Sequence, residues 1–344
     1  MIRLGIAAGG TGGHIIPALR LAKAMEASGA ELVWFGRRDS LESRIAKRYG
    51  IGFEPFEPLL SGLSVKQLPK NMGKITQQVF RVRRLMKQHQ ITCLFSTGAY
   101  ISIIPALAAK SMRLPLVIHE QNTYMGRANR LLSLLANKVC LGMPIDEGGE
   151  SSVMTGKRVL VGNPVTGAVP MKEGQNILVI GGSQGSQFLN QTLPEVLRQC
   201  QVTKQVIHIA GSGAAEVEAR YKQLGIEATV YGFVNDLRPI YHETKIVISR
   251  SGAMTLAEIV HHQLPSILIP YPYATQDHQK KNANHLVNAS AALCVEEDAA
   301  SLKKALLKLL SSEYARQSMR QSLAPLSYPR AMEDMMGLIQ EEHA

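Results

Sequence analysis

Short apolar segments alternate with helical patterns along nearly the whole chain, and this alternation most constrains the fold. In the first half, RLGIAA precedes IIPALRLAKAM, and PLVIHE precedes MGRANRLLSLL. The second half does the same, with NILVIGG before SQFLNQTLPEVLRQ and KIVISR before AMTLAEIVHH. Strands that alternate with helices form parallel sheets, and continuous apolar strands are covered on both faces. The pattern therefore predicts an α/β protein.

A weak internal repeat divides the chain into two similar halves. LGIAAGGTGG and ILVIGGSQGS are both apolar strands that run into a glycine turn, and 344 residues exceed what one core usually holds. We predict two Rossmann-like parallel-sheet domains that face a cleft. The N-terminal domain spans residues 1–163 and the C-terminal domain spans residues 164–344. A last helical segment, over roughly 313–340, can pack back on the first domain.

Each half carries a glycine turn that is suited to an anion. A turn that opens a helix after a parallel strand presents free N–H groups, and glycines let a phosphate approach the backbone. Neither turn is a dinucleotide fingerprint, since Ile15 stands where the third glycine belongs, and neither contains a P-loop lysine. One such turn is equally compatible with simple strand–helix packing. Two of them favour a phosphate-rich ligand in the cleft.

His14 directly follows the first glycine turn. It could be a first-turn helical residue with a structural hydrogen bond. It could also be a general base for a hydroxyl nucleophile, because the start of a helix disfavours protonation of an imidazole. The residues alone leave both interpretations open.

Polar clusters follow four other predicted strands: STGAY (96–100), HEQN (119–122), SRSGAMTLAEI (249–259) and ATQDHQKKNA (274–283). Glu258 can accept hydrogen bonds from a ribose diol, although a solvated helical glutamate is the commoner case. Asp277 can be a helix cap, or its neighbouring amides can bind sugar hydroxyls. DxD and HExxH are absent, which disfavours metal-bridged diphosphate chemistry. The four cysteines lack metal-type spacing and are expected to be reduced thiols.

Positive charge is concentrated in the first half of the chain. Residues 1–163 contain 22 Lys and Arg against 10 Asp and Glu, and residues 58–119 contain no acidic side chain. Such a field attracts nucleic acid or an anionic membrane. An apolar stripe at helical spacing crosses this region, and a stripe of this kind usually faces a core. The acid-free run favours membrane contact by part of the region. The stripe consists of Ile75, Val79, Val82 and Met86.

No membrane-spanning run or signal peptide is visible, so we expect a cytoplasmic protein that is soluble or held at a surface.

Six motifs occur in the order GGTGGH, HEQN, GNPV, GGSQGS, SRSGAMTLAE and DHQKKNA. Together, from about residue 3 to residue 340, they closely resemble the bacterial N-acetylglucosamine transferases that make lipid II from lipid I in peptidoglycan synthesis. The resemblance implies a GT-B fold and a role in cell-wall biogenesis, cell shape and division. It implies inverting transfer from UDP-N-acetylglucosamine to the C4 hydroxyl of N-acetylmuramyl-pentapeptide on undecaprenyl diphosphate. It also implies a peripheral location on the cytoplasmic face of the cell membrane.

The resemblance also implies roles for individual residues. His14 is the implied catalytic base. Glu258 contacts the ribose, the backbone of Val234 contacts the uracil, and Ser183 contacts the donor diphosphate. The remaining donor-side residues are Thr11, Gly12, Gly13, Asn122, Ala253, Met254, Thr255, Leu256, Ala257, Gln279 and Asn282. The acceptor-side residues are Gly98, Tyr100, His119 and Glu120. No metal or other cofactor is implied. The partners are UDP-N-acetylglucosamine, lipid I and an anionic membrane contacted by the basic region 63–88, without nucleic acid.

Two positions depart from the family pattern. Thr166 replaces an arginine that contacts the nucleotide in many members, for which Arg250 could substitute, or donor affinity could be lower. Ala99 replaces a second glycine, which bears on the shape of the acceptor-side loop.

Two other classes of function stay open. One is another UDP-sugar enzyme of the same architecture, such as a 2-epimerase or a diacylglycerol glycosyltransferase, which an acceptor screen would distinguish. The other is a non-enzymatic nucleic-acid or membrane binder. The 5% aromatic content, with none clustered among the basic residues, disfavours this second class.

Overall fold

A computed structural model describes residues 1–58, 68–145, 155–167, 169, 172–182 and 185–343. The chain forms two compact units. The first consists of Met1–Pro164 with Pro329–Ala344, and the second is Val165–Tyr328. Each unit contains one sheet in which every strand pair is parallel. The predicted α/β class with two parallel sheets is therefore confirmed.

The first unit is built on a seven-stranded sheet with the order β3-β2-β1-β4-β5-β6-β7. Its strands are β1 (Arg3–Ala7), β2 (Glu31–Gly36), β3 (Gly52–Pro55), β4 (Cys93–Ser96), β5 (Leu116–Glu120), β6 (Lys138–Leu141) and β7 (Arg158–Leu160). Its helices before the second unit are α1 (Gly12–Ala27), α2 (Leu41–Arg48), α3 (Leu68–Gln88), α4 (Ile103–Ser111) and α5 (Arg127–Leu135). Chain order reverses between neighbours β1 and β4, which is where ligands bind in open α/β sheets.

The second unit is built on a six-stranded sheet with the order β10-β9-β8-β11-β12-β13. Its strands are β8 (Asn176–Ile180), β9 (Val206–Ile209), β10 (Ala228–Tyr231), β11 (Thr244–Ser249), β12 (Ser266–Leu268) and β13 (Leu293–Cys294). Its helices are α6 (Gln187–Gln199), α7 (Ala214–Gln223), α8 (Arg238–His242), α9 (Ala253–His261), α10 (His278–Asn288), α11 (Ala299–Ser311) and α12 (Glu313–Leu323). The reversal here lies between β8 and β11.

The C-terminal segment differs from the single helix that the sequence predicts. A 3-10 turn at Ala324–Leu326 follows α12, and a separate helix α13 occupies Ala331–His343. Pro325 and Pro329 lie in this break, where proline removes a helical donor and disfavours continuation. Helix α13 belongs to the first unit and packs against α1 and β4.

Helix α3 places its apolar stripe against the core of the first unit. Ile75, Val82 and Met86 are buried, and Val79 packs against the same cluster. The core interpretation of this stripe is therefore confirmed. Residues 63–67 of the predicted basic region lie outside the described residues. Within the part of the chain that the structure describes, no helix meets the length and hydropathy that crossing a bilayer requires.

The burial of α3 predicts a contrast between its two faces. Met86→Ala removes a fully buried side chain and should lower the unfolding free energy by roughly 2–5 kcal/mol. Phe80→Ala, at a position 61% exposed, should change it by less than about 0.5 kcal/mol. Urea unfolding followed by the fluorescence of the single tryptophan, buried Trp34, measures both. Equal losses in the two variants would contradict this packing.

Candidate active site

The ends of β1 and β4 bring two segments of the first unit together. The chain leaves β1 through Gly10, whose φ of +90° suits glycine, and enters α1, where His14 lies in the first turn. Thr97 directly follows β4. Because β1 and β4 are neighbours in the sheet, His14 and Thr97 meet at the point where strand order reverses.

His14 and Thr97 make two reciprocal hydrogen bonds. The Thr97 hydroxyl donates to the His14 carbonyl oxygen at 2.8 Å, and Nδ1 of His14 lies 2.9 Å from the Thr97 carbonyl oxygen. A carbonyl oxygen only accepts, so Nδ1 must carry the proton and Nε2 of the neutral ring carries the lone pair. Because His14 is only partly buried, this geometry combines a structural hydrogen bond with an imidazole nitrogen able to accept a proton.

A buried network of polar side chains donates a hydrogen bond to Thr97. Nε2 of Gln121 donates to the Thr97 carbonyl at 3.2 Å and to the His119 carbonyl at 2.9 Å. Nε2 of His119 donates to the Gly162 carbonyl at 3.2 Å. Burial lowers the pKa of His119 to about 4; the charge of His14 acts in the same direction, and the Gly162 hydrogen bond opposes both. His119 is therefore a neutral structural imidazole at physiological pH.

Glu120 organises the loop after β5. It is 1% exposed, and its Oε1 accepts hydrogen bonds from the backbone and side-chain nitrogens of Asn122 at 3.1 and 3.0 Å. Its Oε2 accepts from the Gly126 backbone at 3.0 Å and from the Asn129 side chain at 2.8 Å. The carboxylate thus fixes the position of the Asn122 amide while remaining out of solvent itself.

The loop after β4 contains two consecutive residues with positive φ. Gly98 has φ +96°, and a Cβ there would lie 2.7 Å from Oδ1 of Asn129, so only glycine fits without rearrangement. Ala99 has φ +65°, a conformation that favours glycine, so the alanine at this position carries backbone strain. Tyr100 follows and is 43% exposed. Gly98 and Tyr100 thus share one strand end with Thr97.

In the second unit, Gly185 is tightly packed just before α6. A Cβ at Gly185, with φ +82°, would lie 2.3 Å from the Ala210 carbonyl oxygen. Ser186 caps α6 by accepting from the Leu189 backbone at 3.3 Å. Ser183, expected to contact the donor diphosphate, lies outside the described residues. The described residues on either side are the end of the parallel strand β8 and the capped start of α6.

Hydrogen bonds join the segment after β11 to helix α10. The Ser251 hydroxyl donates to the Gln279 carbonyl at 2.8 Å, and Nδ2 of Asn282 donates to the Ser251 carbonyl at 3.2 Å. Oε1 of Gln279 accepts from the Tyr271 backbone at 2.9 Å, which orients its amide. Gln279 is partly exposed, whereas Asn282 is fully buried. Gln279 is therefore the one of the two whose side chain a ligand can reach here.

Helix α9 presents the remaining expected nucleotide residues. Met254, Thr255 and Ala257 are partly exposed; the other three, Ala253, Leu256 and Glu258, are buried. Oε2 of Glu258, which is 9% exposed, accepts a hydrogen bond of 2.6 Å from the Tyr241 hydroxyl. Val234, in the loop before α8, is partly exposed.

Arg250 is held by its own unit. Its guanidinium donates to the Ile269 and Pro270 carbonyls at 3.2 and 3.4 Å and forms an ion pair with Glu297. It also lies over the Tyr271 ring, 5.5 Å from the ring centroid. To replace an arginine at Thr166, Arg250 would have to leave these contacts.

The four cysteines are free thiols. The residues with described coordinates include no cluster of three or more His, Cys, Asp or Glu side chains that could hold a metal ion. Sequence reasoning overlooked Thr97 and Tyr241 as partners of candidate residues. Thr97 lay within the quoted STGAY motif, and its place immediately after a strand was the available signal.

The buried neutral His119 predicts an acid-sensitive first unit. Its pKa is about 4 when folded against an ordinary 6.5, so the unfolded chain binds more protons and stability falls as pH drops from about 6.5 towards 4. Between pH 7.5 and pH 5 this group should cost about 2 kcal/mol. In urea unfolding followed by Trp34, His119→Gln should reduce the wild-type loss by that amount.

His208→Gln is the matched control, because burial also lowers the pKa of His208 to about 4 but the residue lies in the second unit. It should leave the pH dependence reported by Trp34 unchanged. An unaltered pH dependence in His119→Gln would contradict the assignment.

The chain matches two family models along most of its length. Residues 4–141 match the glycosyltransferase family 28 N-terminal domain, and residues 176–335 match the glycosyltransferase family 28 C-terminal domain. The solved structure of MurG from Acinetobacter baumannii is similar with a TM-score of 0.81 at 26% identity, covering 99% of this chain and 100% of that one. A putative UDP-N-acetylglucosamine 2-epimerase from Listeria monocytogenes shares the fold alone, with a TM-score of 0.68 at 12% identity over 99% and 96% of the two chains.

A UDP-N-acetylglucosamine–N-acetylmuramyl-(pentapeptide) pyrophosphoryl-undecaprenol N-acetylglucosamine transferase of Neisseria meningitidis serogroup C is 34% identical over 348 residues, covering 95% of each chain. The resemblance carried by the six motifs and the expected enzyme class are confirmed. The chain belongs to the family of these lipid II-forming N-acetylglucosamine transferases.

Proposed function

We propose that this chain transfers N-acetylglucosamine from UDP-N-acetylglucosamine to the C4 hydroxyl of N-acetylmuramyl-pentapeptide on undecaprenyl diphosphate. The observation that carries the chemistry is the contact between Nδ1 of His14 and the Thr97 carbonyl. This hydrogen bond leaves the lone pair of His14 on Nε2, which faces away from the Thr97 carbonyl at the edge of the sheet where ligands bind. The names of the relatives supply the donor and the acceptor.

In this proposal the reaction is a single inverting displacement. Nε2 of His14 takes the proton of the C4 hydroxyl as its oxygen bonds to the anomeric carbon, and the bond to UDP breaks with its electrons passing to the diphosphate. Thr11 directly precedes α1, and Gly12 and Gly13 begin it, where backbone N–H groups and the helix dipole favour negative charge. Ser183 contacts the donor diphosphate, and the start of α6 favours its negative charge. The proposal therefore needs no metal or further cofactor.

The donor residues divide into those that contact the ligand and those that support them. Glu258 accepts from the ribose hydroxyls, and the Val234 backbone contacts the uracil. Gln279 donates to the sugar, while Asn282 supports it through the Ser251 carbonyl. Residues Ala253 to Ala257 line the nucleotide from the start of α9. Apart from residues 329–344, which belong to the first unit, the C-terminal domain, 164–344, thus binds the UDP-sugar.

The acceptor residues divide similarly in the N-terminal domain, 1–163. Gly98 and Tyr100 border the acceptor from the loop after β4. His119 and Glu120 act from the interior, His119 by holding the Gln121 network and Glu120 by holding Asn122. In this proposal Asn122 borders the donor sugar and the acceptor diphosphate.

The outer face of α3 provides the membrane contact. Phe80 and Met72 are 61% and 58% exposed, and the exposed cations Lys74, Arg81, Arg84 and Lys87 lie on the same helix. Apolar side chains surrounded by basic ones bind the interface of an anionic bilayer. We therefore place the protein peripherally on the cytoplasmic face of the cell membrane, where its lipid-linked acceptor resides, without nucleic acid as a partner.

His14→Asn tests the base. The asparagine amide can retain the hydrogen bond to the Thr97 carbonyl but offers no basic nitrogen, so acceptor-dependent UDP release should fall roughly 10²–10⁴-fold. The assay supplies UDP-N-acetylglucosamine with and without a lipid I analogue, and calorimetry checks that donor binding is intact. His89→Asn, a histidine paired with Glu54 at the end of α3, should keep wild-type activity.

Activity that survives in His14→Asn would leave this histidine with a structural role. Formation of an epimerised UDP-sugar without any acceptor would instead support the 2-epimerase alternative. A wild type that transfers sugar to diacylglycerol but not to lipid I would support a glycolipid glycosyltransferase.

The membrane contact is tested with Arg81→Gln/Arg84→Gln. Each interfacial cation is worth about 1 kcal/mol, so partitioning onto phosphatidylglycerol-containing vesicles should fall by roughly tenfold or more, and salt should weaken wild-type binding. Lys304→Gln/Lys308→Gln removes two exposed charges from α11 and should partition like the wild type. Equal loss in both double variants would show that net charge, not this face of α3, drives binding.

A further inference from the structure

The carboxylate expected to contact the ribose has a buried phenol as its partner. Tyr241 is 1% exposed, and its hydroxyl donates to Oε2 of Glu258 at 2.6 Å. The two residues are 17 positions apart, Tyr241 in the short helix α8 and Glu258 in the second turn of α9. A hydrogen bond to a charged acceptor at this distance is among the stronger kinds in proteins.

The Tyr241 ring is itself held in place. It packs on the His262 ring with centroids 4.8 Å apart, and the His262 backbone donates to the Glu258 carbonyl at 2.9 Å. The Tyr241 backbone donates to the Leu237 carbonyl at 2.9 Å, which anchors the main chain of this residue to the residue before α8. These contacts therefore fix the position from which the Tyr241 hydroxyl donates to Glu258.

Helix α8 also follows the loop 232–237, which contains Val234. Through Tyr241, the segment expected to contact the uracil is thus joined to the side chain expected to contact the ribose. A free glutamate side chain loses up to about 2 kcal/mol of rotamer entropy when it is fixed. A carboxylate that is already oriented avoids part of that cost when the ligand binds.

We propose that Tyr241 is a positioning residue for nucleotide recognition: its hydroxyl holds the Glu258 carboxylate in the orientation that accepts the ribose hydroxyls. The inference rests on the proposed function, in which Glu258 contacts the ribose. Tyr241 touches no substrate and acts only through Glu258. Its effect therefore depends on the ribose hydroxyls being present.

A comparison of two ligands tests this dependence. Tyr241→Phe keeps the ring and removes only the hydroxyl, and calorimetry on the full chain gives its Kd for UDP and for 2′,3′-dideoxy-UDP. The loss of a hydrogen bond to a charged group predicts about tenfold weaker binding of UDP. The Kd for the dideoxy ligand should change by less than about twofold. In turnover, KM for UDP-N-acetylglucosamine should rise in parallel while kcat stays near the wild-type value.

Tyr221→Phe is the matched control. Tyr221 is an equally buried tyrosine of the second unit, and its hydroxyl lies 3.0 Å from Nδ1 of His208, not at Glu258. This variant loses a comparable buried hydrogen bond and should retain the wild-type ratio of the two Kd values. Thermal unfolding of both variants shows the cost of the lost hydroxyl to stability.

The variant Glu258→Gln distinguishes failure of this inference from failure of the proposed function, in which Glu258 contacts the ribose. If Glu258→Gln no longer distinguishes UDP from the dideoxy ligand while Tyr241→Phe distinguishes them as the wild type does, Tyr241 is not a positioning residue. Equal weakening of both ligands by Tyr241→Phe would also overturn the inference. If Glu258→Gln keeps wild-type discrimination, the assignment of Glu258 to the ribose is the part that is wrong. In the double variant, loss of UDP affinity no greater than in Glu258→Gln supports the inference.

Discussion

The rest of the molecule depends on the reversal of strand order in each sheet. Between β1 and β4, and again between β8 and β11, neighbouring strands lead their helices to opposite faces, so the strand ends are left open between them. At the first reversal this places His14 beside Thr97. At the second it places a glycine turn beside the segment that leads into α9. The proposed roles of His14 and of the first residues of α9 follow from these two positions.

The candidate polar side chains fall into two sets by burial, which we call the exposed layer and the buried layer. His14, Gln279 and Tyr100 are at least partly exposed, whereas His119, Glu120 and Asn282 are buried and hydrogen-bonded. A buried carboxylate such as Glu120 is tolerable only because Asn122, Gly126 and Asn129 donate to it. The buried layer costs desolvation energy, and in return it orients the exposed layer. Orientation of this kind lets a site bind charge without reorganising.

Much of the fold followed from the sequence because it depends on local pattern. Apolar strands alternating with helices predicted both parallel sheets, and the spacing of Ile75, Val82 and Met86 predicted the buried face of α3. The break between α12 and α13 was missed, although Pro325 and Pro329 were visible, because the apolar pattern continues across them. The candidate residues at strand ends were also recognisable. Their buried hydrogen-bond partners were not recognisable, because these contacts depend on which strands become neighbours in the sheet.

His14 and Glu258 show why such partners matter. Each is a titratable candidate residue, and each makes a hydrogen bond that orients it: to a backbone carbonyl for the imidazole and from a phenol for the carboxylate. The carbonyl is a main-chain group that every residue carries. A substitution of Thr97 therefore keeps the acceptor that fixes the tautomer of His14. The phenol is a side chain and can be lost in one step. A substitution of Tyr241 can therefore change nucleotide recognition more easily than a substitution of Thr97 can change the tautomer of His14.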